Sequence, residues 1–93
     1  MVKVLAAMPT AQAKVYIDGQ NVRLVSYKTV VAELNDDVLV VYGLHSATTR
    51  RHISAFMKEY CKGLTYQTAR TLYEQRMSMN IITGECFELA ARA

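Results

Sequence analysis

The chain reads as an α+β fold: an antiparallel β-meander of about four strands, then an αα-hairpin packed on one face, with a short strand pair at the C-terminus. Three observations carry that expectation. Between Lys14 and Tyr42 apolar residues alternate with polar ones or gather in short β-branched runs, the pattern of strands. Ile53, Phe56, Met57, Tyr60 and Cys61 then recur at i, i+3, i+4, i+7 and i+8, one face of a helix. Only Gly63 and Leu64 separate that helix from a second stretch of helical period, a link suited to antiparallel neighbours.

Residues 1–93 are expected to form a single domain, long enough for one modest core but not for two. Hydrophobic residues at 52% and charged residues at 20% place the chain with folded globular sequences rather than disordered ones. A formal charge of +3 permits nucleic acid as a partner without demanding it, and disfavours an acidic mimic of DNA. The opening MVKVLAAMPTAQA resembles a secretory signal only superficially. Its apolar run from Val4 to Met8 is shorter than the roughly 7 to 15 residues an export signal needs, and Pro9 ends it. No stretch approaches the roughly 18 apolar residues of a membrane span, so a soluble, cytoplasmic protein with no membrane contact is expected.

Val2 to Ala7 reads as a strand and Pro9 to Gln12 as a turn. Val15 and Ile17 alternate with Lys14, Tyr16 and Asp18, and Asp18-Gly19 turns the chain into Asn21 to Val25. Tyr27 to Leu34 is rich in β-branched residues, Asn35-Asp36-Asp37 supplies the next turn, and Val38 to Tyr42 is almost wholly apolar. That last run belongs in the middle of the sheet, with the following helix folded over it. Thr65 is placed to cap a second helix from Tyr66 to about Met77, with Tyr66, Ala69, Leu72 and Tyr73 on its apolar side. Arg76 interrupts that side, as an arginine does when its stem lies on the core and its head reaches water or a partner. In the remainder, Ile81 to Thr83 and Cys86 to Leu89 around Gly84-Glu85 read as a strand pair, with a short helix capped by Thr83 as the alternative.

The helix from Ser46 to Gly63 is the most heavily punctuated element. Ser46 or Thr48 can accept from a first-turn amide, Lys58 and Lys62 suit the C-terminal end, and Gly63 can take the left-handed conformation beyond it. Arg50, Arg51, Ser54, Lys58 and Lys62 share an arc of roughly 120° beside the apolar one, at about 100° per residue. Residues 1–43 carry four cations and four anions, residues 44–63 four and one, and residues 64–93 three and three. The whole excess positive charge therefore sits on this helix. Arg50 and Arg51 lie near its positive end, where a cation is mildly disfavoured unless an anion is close. With Ser46, Thr48 and Thr49 they could receive a phosphate or a carboxylate. The bland alternative is a solvated face or pairing with Asp36 or Asp37.

Little in the sequence points to catalysis. The glycines are isolated, so no phosphate-cradling loop exists. His45 and His52 lack a nucleophile at a telling spacing and read as surface or cap-adjacent residues. His45, His52, Cys61 and Cys86 match no zinc spacing, and Asp36-Asp37 read as turn residues rather than metal ligands; no cofactor and no metal are expected. Both cysteines read as reduced thiols. Six tyrosines against no tryptophan give an amphipathic aromatic set that suits contact surfaces, without a base-stacking platform.

Ser26 to Leu34 (SYKTVVAEL), followed by Tyr42 to Tyr60 (YGLHSATTRRHISAFMKEY), resembles a group of small bacteriophage-encoded proteins of unknown function, in which a SYxTxVA strand leads to a TTxRHI helix start. The resemblance implies a phage accessory protein acting in the host cytoplasm. Such proteins bind and inhibit or redirect a host protein such as a polymerase, a nuclease or a defence complex; the expected contact residues are Arg50, Arg51, Ser54, Lys58, Lys62 and Arg76. Direct nucleic-acid binding by the first turn of the same helix is the alternative, and a self-assembling protein or homodimer a third reading.

Overall fold

A computed structural model describes residues 1–44 and 46–89. The order of elements is β1 (Val2–Val4), β2 (Ala13–Asp18), β3 (Asn21–Ser26), β4 (Thr29–Asn35), β5 (Val38–Val41), α1 (Ala47–Tyr60), α2 (Tyr66–Gln75), β6 (Met77–Asn80) and β7 (Cys86–Glu88). The fold is α+β, with all seven strands in one antiparallel sheet in chain order. The expected meander of about four strands understates it, because β1 and the C-terminal pair join the same sheet. The αα-hairpin interrupts the strand order between β5 and β6 without disturbing adjacency.

Turn chemistry sets the register. Gly19, at φ +59°, closes the β2–β3 turn where Asp18 faces Asn21. Asp36 and Asp37 both lie at positive φ, +50° and +70°, as a two-residue hairpin turn that follows the twist of its strands requires. Between β3 and β4 the register shifts at Leu24/Val25, and Val31 is the extra residue on β4. This bulge lets the neighbours Val31 and Ala32 both be buried.

Both helices cover one face of the sheet, α1 chiefly against β3 and β4, and α2 against β5 and β6. The element over the Val38–Val41 strand is thus the second helix, where the sequence suggested the first. Leu5, Val15, Leu24, Val31 and Leu39 from the sheet side meet Ile53, Phe56, Met57 and Cys61 of the α1 region and Ala69 and Leu72 of α2 in one core. Full burial of a side chain the size of Phe56 contributes about 1.5–3 kcal/mol, so α1 is held by its apolar stripe rather than by helix propensity.

The C-terminal strand pair exists, but its first strand is Met77–Asn80 rather than Ile81–Thr83. The reason is Arg76, which takes φ +54° and ends α2, so the chain leaves extended beside β5, with Leu39 facing Met79. Asn80 then holds the turn, its side-chain oxygen accepting from the amides of Ile82 and Thr83 at 2.9 and 3.1 Å. Thr65 occupies the N-cap position of α2 but makes no side-chain capping bond.

Candidate partner-binding face

Local sequence places the basic side chains of α1 on one side. Ser46 caps the helix by accepting from the Thr49 amide at 3.2 Å. Rotation from that start directs Ile53, Phe56 and Met57 into the core and leaves Arg50, Arg51, Ser54 and Lys58 exposed. Lys62 continues this wall past the helix end, at φ +54° and exposed. Among the described residues the only ion pair is Arg70–Glu74, 3.3 Å apart on α2. Neither Arg50 nor Arg51 meets Asp36 or Asp37. Glu59, the one acid of α1, accepts the Ala6 amide on both oxygens at 3.2 and 3.1 Å rather than pairing with a neighbouring lysine.

Four expected site residues stand apart from the wall. Thr48 is half-buried and Thr49 is buried at 3% exposure, so the Thr49 hydroxyl is not available to an external anion. Its place could have been read from the sequence, since Thr49 precedes Ile53 by four residues and Phe56 by seven, within the apolar stripe. Arg76 is exposed but borders a separate groove of about 1090 Å³ with Val40, Tyr42, Met77 and Glu88. Ser46 is exposed, with its oxygen committed to the cap.

Beneath the wall lies a polar network with no counterpart in the sequence reading. His52, expected at the surface, is fully buried. Its Nδ1 lies 2.8 Å from Ser26 Oγ, and that oxygen lies 3.1 Å from Thr49 Oγ1, which accepts in turn from Ser46 Oγ at 3.3 Å. Tyr27, at φ +58° in the turn after β3, tilts its ring over the imidazole at 5.9 Å. Nε2 of His52 is buried without a partner. Desolvation lowers the His52 pKa below its usual range. Ser26 is only 3% exposed, and its contacts to Thr49 and His52 tie α1 to β3 through a buried polar link.

On the other flank, Arg50 shares a hollow of about 310 Å³ with Leu44 and with Tyr66, Arg70, Tyr73 and Glu74 of α2. Across the sheet, Glu33 accepts from Asn21 Nδ2 at 2.5 Å and Tyr42 Oη at 2.7 Å; these bonds, with Arg23 nearby, hold its carboxyl below the usual range. Burial pushes the Cys61 thiol up to about 12, while Cys86 is exposed; both are free. Among the described residues no cluster of His, Cys, Asp or Glu could hold a metal, and no helix is long and apolar enough to cross a membrane.

Fold and face together define a small α+β protein presenting a basic helix side next to an interhelical hollow. Residues 5–73 match a family of unknown function, DUF8033, and the chain belongs to that family. The match reaches well beyond Ser26 to Tyr60 in both directions, and nothing in it indicates phage origin. No curated protein and no solved structure matches the chain.

Proposed function

We propose that this protein is a non-enzymatic binding module that engages an acidic surface of a partner protein through Arg50, Arg51, Ser54, Lys58 and Lys62. One observation carries the reading: the cations Arg50, Arg51, Lys58 and Lys62 stand exposed on one side of α1, and among the described residues no acid pairs with them. A solvated face gains little from ion pairs within itself, whereas a complementary acidic surface gives such a face both steering and register. In the setting that the phage resemblance implies, the partner is a host protein in the cytoplasm, a polymerase, nuclease or defence complex, and binding inhibits or redirects it.

Direct phosphate binding by the first turn of α1 is the second reading. It is weakened by two features: Ser46 already occupies the Thr49 amide, and the Thr49 hydroxyl is turned into the core. A tagged pull-down from lysate of the cell that expresses the gene, with and without nuclease, separates the two. The proposal expects a protein captured in both arms and lost from an Arg50→Glu, Arg51→Glu variant. Capture that disappears with nuclease would transfer the face to nucleic acid, with affinity falling steeply with salt.

A further inference from the structure

The hollow between α1 and α2 has features that the basic wall alone lacks. Tyr66, Arg70, Tyr73 and Glu74 stand at i, i+4, i+7 and i+8 on α2, so one flank of that helix faces Arg50 of α1 across a space of about 310 Å³. That volume lies at the lower end of the roughly 300–1,000 Å³ of small-molecule sites, room for one side chain rather than an extended ligand. Arg70 gives only its Nε to Glu74, leaving its other donors free, and Arg50 has no partner among the described residues. Tyrosine and arginine are also the residue types that dominate binding energy at protein interfaces.

We infer that this hollow is an anchor site for one carboxylate side chain, glutamate or aspartate, of a protein partner. The carboxylate takes donors from Arg50 and Arg70, and its stem lies on Tyr66 and Tyr73. Charge selects the carboxylate over phosphate. Two guanidinium groups and Glu74 leave a net single positive charge in the hollow, which a monoanion balances; a phosphate of nearly two negative charges would meet the Glu74 carboxylate as well. The inference rests on the protein-binding reading above and names the group that reading would seat.

The test uses the isotope-labelled full chain and three probes: a blocked glutamate-alanine peptide, its glutamine-alanine equivalent, and inorganic phosphate. The glutamate peptide is expected to shift the amides of Leu44, Arg50, Tyr66 and Arg70 saturably, with the glutamine peptide and phosphate at least tenfold weaker. Arg70→Gln should weaken the glutamate peptide about tenfold or more; Lys3→Glu, at an exposed residue of β1 away from both helices, should not. No shift, equal shifts with glutamine or phosphate, or an unaltered Arg70→Gln variant overturns the inference. The two proposals fail separately. A hollow that binds peptide while Lys58→Glu with Arg51→Glu still captures the partner sinks only the wall, and the converse sinks only the hollow.

Discussion

Ser26 Oγ, at the end of β3, lies 2.8 Å from Nδ1 of His52 in the second turn of α1, a polar fastening inside an otherwise apolar interface. Ser26→Ala would leave both imidazole nitrogens without partners in a buried site, at a cost of about 1–3 kcal/mol. Adding His52→Leu should recover part of that loss, because the orphaned polar group is then gone. Urea denaturation of the single and double variants measures the coupling, and strictly additive losses would show that the two residues act independently.

The same burial sets a pH dependence. Because desolvation lowers the folded-state pKa of His52 from 6.5, the unfolded chain binds a proton that the folded chain refuses. Stability is therefore full above pH 6.5 and is lost as pH falls through the depressed folded value. Glu33 acts in a separate, more acidic window: its carboxyl is lowered from 4.5 by Asn21 and Tyr42, so its contribution is lost as pH falls below that value. Melting temperatures across the mildly acidic range should decline for the native chain and stay flatter for His52→Leu. Equal decline in both would assign the effect elsewhere.

Core and wall should separate cleanly in stability. Phe56 is fully buried, and Phe56→Ala should cost about 3–5 kcal/mol, much of the roughly 5–15 kcal/mol of a typical domain. Arg51→Glu and Lys58→Glu lie on the exposed side and should each change stability by less than about 0.5 kcal/mol. Thermal or denaturant unfolding checks both, and a wall variant as damaging as Phe56→Ala would place those cations in the fold rather than at its surface.

The cysteines should differ in reactivity. Cys86 is exposed, whereas Cys61 is fully buried with its thiol pushed up to about 12, so almost no thiolate exists at neutral pH. A maleimide should label one thiol of the native protein rapidly and the second only on unfolding. Peptide mapping by mass spectrometry identifies which, and early labelling of Cys61 would contradict its burial.

These outcomes track what could be read from residue order. The apolar stripe of α1, its Ser46 cap and its basic side were legible because each is a local pattern along one helix. Thr49 was legible in principle from its spacing to Ile53 and Phe56, but the polar residue type suggested exposure. The burial of His52 was not, because it depends on Ser26 and the Tyr27 turn, far away in the chain and brought near only by the β3–α1 packing. β6 was obscured because Met77-Ser78-Met79-Asn80 has no β-branched residue. Its strand form follows from the left-handed Arg76 and the open side of β5. The Arg50–Arg70 hollow required the angle between two helices, which no spacing within either one supplies.

On the proposed reading, position on α1, and not overall charge, decides whether partner protein is captured. Capture of partner protein should be compared between the native chain, Arg51→Glu with Lys58→Glu, and Lys3→Glu with Lys14→Glu, an equal reversal at exposed residues off the wall. Loss in the first variant and retention in the second is the predicted result. Retention in both, or equal loss in both, would contradict it.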